Sequence, residues 1–134
     1  MSTEVALLEK KKILAVDDSK IMLKIIASSI EMLSYEALKA ANGKEALEVL
    51  SREAERIALI LLDWNMPEMN GLDTLLAIKA EPRFQEIPVM MVTTESEQKN
   101  VILAIKAGAR HYLTKPFNQQ DLAVRIMESL GLGG

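Results

Sequence analysis

The stretch IALILLD, residues 57–63, sets six apolar side chains in a row and closes them with an acid. A strand with one wet face alternates apolar and polar positions. An unbroken run of this length fits a strand covered on both faces, as at the centre of a parallel sheet. Asp63 then stands where a buried strand emerges. An unpaired carboxylate there is costly, so partners are expected.

Working outward, the same grammar repeats. KKILAVDD (11–18) carries a strand over Ile13 to Val16 and ends on Asp17 and Asp18. YEALKA (35–40) alternates well enough for a strand, and Asn42–Gly43 then turns the chain. IPVMMV (87–92) is a fourth strand followed by Thr93, and Arg110 to Leu113 is a short fifth, followed at once by Thr114, Lys115 and Pro116. Helices fill the intervals. The first runs from Lys20 to Leu33 behind a Ser19 cap, with Ile21, Lys24/Ile25 and Ser28/Ser29 on its i, i+4 rows. The others run over Lys44 to Ala54, Leu72 to Ala80 before Pro82, Glu95 to Ala107 before Gly108, and Gln119 to Leu130 behind Asn118. NMPEMNG (65–71) is a loop.

Five strand–helix units in succession predict one α/β domain, (βα)5, with a parallel sheet and helices on both faces. The domain is expected over residues 11–131. Residues 1–10 are a short extension, in which Val5, Ala6, Leu7 and Leu8 can form a helical turn. No output domain is expected after GLGG.

Bulk properties narrow the function. The 134 residues carry a net charge of −3 and no cysteine. Disulfides and thiolate metal sites are excluded, and a reducing, cytoplasmic setting is expected. No basic stripe serves nucleic acid, and no apolar run is long enough for membrane insertion. The eight methionines are expected as core filler.

Ligands of open α/β sheets bind beyond the carboxyl ends of the strands, so Asp17, Asp18, Asp63, Thr93 and Lys115 should converge on one edge. Carboxylates crowded there repel by roughly 4 kcal/mol per pair at ~4 Å and an effective dielectric of ~20. A divalent cation and an ammonium would balance them. Magnesium prefers such oxygen ligands. The set reads as a magnesium-assisted phosphoryl-transfer site, with Asp63 forming an acyl phosphate and the Thr93 hydroxyl and Lys115 ammonium each taking one phosphoryl oxygen. Each residue also has a plainer reading. Asp17 and Asp18 can decorate a helix start, Asp63 can begin a capped loop, Thr93 can cap a helix alongside Thr94, and Lys115 can be solvated. His111, the only histidine, makes neither a zinc site nor a triad, and Trp64, the only tryptophan, packs a loop.

VDDS (16–19), LLDWNMPEMNG (61–71), VTTE (92–95) and HYLTKPF (111–117) together resemble the response-regulator receiver family, over residues 11–130. The spacings agree as well: Asp63 to Thr93 is 93 − 63 = 30 residues, and Thr93 to Lys115 is 115 − 93 = 22. The likeness is strongest to stand-alone CheY-like members. It implies a flavodoxin/CheY-like sheet of order 2-1-3-4-5 and a single-domain response regulator of a two-component phosphorelay, in chemotaxis-type signalling. It implies Asp63 as phosphoacceptor, and Asp17, Asp18, Asp63 and the Asn65 backbone carbonyl around magnesium. Thr93 and Lys115 would hold the phosphoryl group, and the Lys115–Pro116 bond would be cis. Thr93 and Tyr112 would form the switch, and Asn65 and Glu95 would tune dephosphorylation. Val101, Ile105 and Tyr112 would line the partner face of helix four, strand five and helix five, although Val101 and Ile105 read equally well as core.

The implied partners are a sensor histidine kinase or histidine phosphotransfer domain, a downstream target protein and a phosphatase. Such a chain catalyses only its own phosphorylation and dephosphorylation. An intermediate phosphate carrier in a multi-step phosphorelay fits the same residues. A magnesium-dependent aspartyl-phosphate hydrolase of the haloacid dehalogenase type would need a second acid where Asn65 stands. A flavodoxin-like electron carrier would need a Ser/Thr/Gly phosphate loop where Asp17 and Asp18 stand. A pure binding module would not need all five groups.

Overall fold

The computed structural model describes residues 10–131. The expected N-terminal helical turn over Val5 to Leu8 lies outside these residues. Five strands, β1 (Lys12–Val16), β2 (Glu36–Ala40), β3 (Ile57–Leu62), β4 (Val89–Thr93) and β5 (His111–Thr114), pair in parallel in the order β2-β1-β3-β4-β5. Five helices connect and follow them: α1 (Lys20–Met32), α2 (Gly43–Glu53), α3 (Gly71–Ala80), α4 (Gln98–Lys106) and α5 (Gln119–Ser129). A 3-10 turn, Ala54–Arg56, leads into β3. The sheet order and class are those expected.

The core explains why β3 is central. Ile60 and Leu62 face one side with Leu14, Val16, Leu50, Leu75, Ile78 and Met91. Leu59 and Leu61 face the other with Ile13, Ile26, Ile30, Leu122 and Ile126. Side chains alternate along a strand, so a run that is apolar at every position feeds two apolar layers. Met90 and Met91 are core residues, whereas Met32 is 73% exposed, so core filling describes only some of the methionines.

Helix α1 buries a different row from the one its sequence advertises. Leu23, Ile26, Ala27 and Ile30 meet the sheet, while Ile21 is 75% exposed and Ile25 is exposed as well. Both rows have helical spacing, and periodicity alone does not choose between them. Some boundaries also move. Strand β4 begins at Val89, because Ile87 ends a turn before Pro88. Helix α4 begins at Gln98, leaving Thr94–Glu97 as a loop. Asn42, Asn70 and Asn118 each cap a helix by accepting the N–H three residues on.

Gly71 lets α3 abut the end of β3. Its N–H donates to the Trp64 carbonyl at 2.7 Å. A Cβ there would lie 2.2 Å from the Asp63 carbonyl oxygen and 2.6 Å from Trp64 Cα. Both obstacles are backbone, so relief requires moving the strand end. Gly71→Ala is expected to destabilise the fold by about 1–3 kcal/mol, read from the urea midpoint. An unchanged midpoint would show that the strand end yields freely.

Candidate phosphoacceptor site

The parallel register delivers the acids to one edge. Asp17 N–H donates to the Ala40 carbonyl and Asp63 N–H to the Val16 carbonyl, continuing the two ladders by one residue. Asp17 is 1% and Asp63 5% exposed, whereas Asp18 is exposed. One carboxylate oxygen from each of Asp17, Asp18 and Asp63 lies within 4.8 Å of the others.

Lys115 answers the charge. Its Nζ donates to Asp17 Oδ2 at 2.5 Å and to Asp63 Oδ2 at 3.3 Å. It follows β5, its N–H donates to the Thr93 carbonyl at 2.8 Å, and the Lys115–Pro116 peptide is cis. The remaining carboxylate oxygens are used locally. Asp17 Oδ1 accepts the Ser19 N–H at 2.9 Å, and Asp63 Oδ1 accepts the Asn65 N–H at 3.3 Å.

Thr93 is fully buried at the end of β4, and its Oγ1 accepts the Glu95 N–H at 3.2 Å. Tyr112 is half-buried, packs on the core and donates its hydroxyl to the Glu95 carbonyl at 2.7 Å. Thr93 and Tyr112 thus hold the two ends of the same peptide segment. Asn65 Nδ2 donates to Thr94 Oγ1 at 3.4 Å. Thr94, expected only as a helix cap, makes a contact that crosses from one strand end to the next. Both the Tyr112–Glu95 and Asn65–Thr94 contacts are long-range pairings that no local motif announces.

Val101 is half-buried, and Ile105 is 47% exposed, so Ile105 is not core. Ala104 is the buried residue of α4. His111 is half-buried in β5 beside Met90. Trp64 is partly buried against the core directly after Asp63.

Residues 13–127 match the response regulator receiver domain. The chain belongs to the response regulator receiver family. It is 47% identical over 121 residues to a protein named chemotaxis protein CheY1 from Helicobacter pylori strain J99, covering 90% of this chain and 97% of that one. It is 41% identical over 123 residues to a chemotaxis protein CheY homolog from Campylobacter jejuni, covering 91% of this chain and 94% of that one. The solved structure of Vibrio cholerae chemotaxis protein CheY4 superposes with a TM-score of 0.82 at 31% identity, covering 88% of this chain and 97% of that one. A receiver domain is a signalling module rather than a turnover enzyme, and it implies a histidine kinase donor and downstream targets. No helix among the described residues is long and apolar enough to cross a membrane.

Burial raises the Asp17 carboxyl above its ordinary 3.8. The hydrogen bonds from Lys115 and Ser19 oppose the shift, and the Asp63 charge adds to it. An acid with a raised native pKa binds its proton more tightly when folded, so its contribution to stability is greatest at acidic pH and is lost as pH rises past 3.8. At neutral pH Asp17→Asn is therefore expected to melt above the wild type in metal-free buffer, and to gain less from added magnesium. A lower melting temperature would mean that the Lys115 pairing outweighs burial. The Tyr112 phenol is pushed up to about 12, first by burial and then by the Glu95 and Asp63 charges. In an alkaline titration, the tyrosinate absorbance missing from Tyr112→Phe should be that which appears only near this value. Its appearance around the ordinary 10 would count against the inward, bonded ring.

Proposed function

We propose that this chain is a single-domain response regulator that takes a phosphoryl group onto Asp63 and so switches its binding to a partner protein, in chemotaxis-type signalling in the cytoplasm. The observation that carries the proposal is the Lys115 ammonium lying between Asp17 and Asp63 within a cluster of three carboxylates. The pathway assignment rests on the relatives, whose names are chemotaxis proteins at 41–47% identity.

The donor set fits magnesium, which takes oxygen ligands and keeps several waters: it is all-oxygen, with two buried acids and one exposed. The Asp17, Asp18 and Asp63 carboxylates and the Asn65 backbone carbonyl would hold the ion. When bound, it neutralises charge on the phosphoryl oxygens. The chain's own residues do the rest. An Asp63 carboxylate oxygen forms a bond to phosphorus as the nitrogen–phosphorus bond of a kinase or phosphotransfer-domain phosphohistidine breaks, its electron pair returning to the imidazole. Lys115 exchanges a carboxylate for a phosphoryl oxygen. Thr93 releases the Glu95 N–H and turns its hydroxyl to another phosphoryl oxygen. Tyr112, bonded to the Glu95 carbonyl, carries that movement to the surface.

That surface is the face of α4, β5 and α5 that Val101, Ile105 and Tyr112 would line; Ile105 is exposed, and Val101 and Tyr112 are half-buried. Phosphorylation shifts the population of two arrangements of this face, and the target protein binds one of them better. Asn65 and Glu95 orient the water that ends the signal within seconds to minutes, and a phosphatase can hasten it.

Trp64 fluorescence, read while titrating magnesium and then acetyl phosphate, tests the assignment. The wild type should show a change with each. Asp63→Asn should keep its fold and lose both changes, together with all label from a radioactive donor. Labelling of that variant at the wild-type rate would place the acceptor elsewhere.

A further inference from the structure

We propose that Thr94 is a positioning residue that holds the Asn65 carboxamide in place beside Asp63 and thereby sets the lifetime of the phosphorylated state. The inference rests on the reading of Asn65 as a group that orients the hydrolytic water.

The sheet itself creates the contact. Strands β3 and β4 pair Leu62 with Met91, and three more steps of that register set Asn65 opposite Thr94. The strands have ended by then, so no backbone ladder joins the two residues. A side-chain bond takes over, Asn65 Nδ2 to Thr94 Oγ1 at 3.4 Å. Asn65 is also tied at its backbone, through its N–H to Asp63 Oδ1 at 3.3 Å. Its main chain is thus fixed to the phosphoacceptor and its side chain to the neighbouring loop.

Both residues are exposed, so the bond adds little to stability. Its effect is to confine an asparagine that would otherwise sample several rotamers. The threonine hydroxyl both donates and accepts, so the pair survives either orientation of the amide. The other amide atom remains available to a water. In hydrolysis the water oxygen bonds to phosphorus and the bond from phosphorus to the Asp63 oxygen breaks. The electron pair stays on the carboxylate, and a water proton passes to solvent. A water aligned by a fixed amide reaches that geometry more often than one beside a mobile amide.

The test loads the full chain with acetyl phosphate and magnesium, removes the donor and follows decay of the phosphoprotein. Thr94→Val keeps the shape and loses the hydroxyl, and should slow decay by about threefold. Thr94→Ser restores the hydroxyl and should restore the rate. Asn65→Ala should slow decay at least as much, and adding Thr94→Val to it should change nothing further. Wild-type decay in Thr94→Val beside slow decay in Asn65→Ala would overturn the positioning role. So would additive slowing in the double variant. Unchanged decay in Asn65→Ala would instead remove the underlying reading of Asn65. Matching thermal midpoints between Thr94→Val and Thr94→Ser separate a loss of fold from a loss of the hydroxyl.

Discussion

Two carboxylates that are almost wholly buried side by side cannot stand alone, and the ammonium of Lys115 is what makes their proximity tolerable. Removing charges from water is expensive, and an ion pair offsets that expense only with good geometry and saturated neighbours. Here both conditions are met: each buried acid gives one oxygen to Lys115 and the other to a backbone N–H. The arrangement is nonetheless divisible. Lys115 is shared between two acids at unequal distance, and in the proposed role a phosphoryl group on Asp63 would draw it away from Asp17. A lysine bound to one partner in a fixed geometry would stabilise the fold but could not respond.

The same economy of contacts links the acidic edge to the surface. Thr93 holds the N–H of Glu95, and Tyr112 holds its carbonyl. One peptide segment therefore lies between the group that would feel a phosphoryl oxygen and the ring that borders the α4–β5–α5 face. No long relay is needed, because the two contacts lie on the same residue. The coupling is a matter of which hydrogen bonds exchange, and each net exchange is about 1 kcal/mol, which suits two arrangements close in energy.

Much of this was legible from residue order. The apolar run before Asp63 and the acids after Val16 announced buried strands ending in charge, and the sheet order followed from the family resemblance. What escaped has a common cause. Tyr112 bonds to a backbone carbonyl, which every residue carries, so no side-chain pattern marks it. Thr94 meets Asn65 only because two strands end in register, a fact of pairing rather than of sequence. On α1, two apolar rows were available and the sheet chose Leu23, Ile26 and Ile30 over Ile21 and Ile25. Hydrophobic spacing identifies a helix with a face. Which face is inward depends on how the neighbouring strands are twisted and spaced.

Asp17 and Lys115 are 98 residues apart in the chain, yet they share a hydrogen bond. The first acid leaves the ribosome long before the lysine that neutralises it. Until β5 adds beyond β4, the acids at the carboxyl edge of the sheet lack the Lys115 ammonium. On the proposed reading, the two halves of the site meet only through the sheet, and a chain lacking β5 would hold the buried acids without the ammonium that pairs with them.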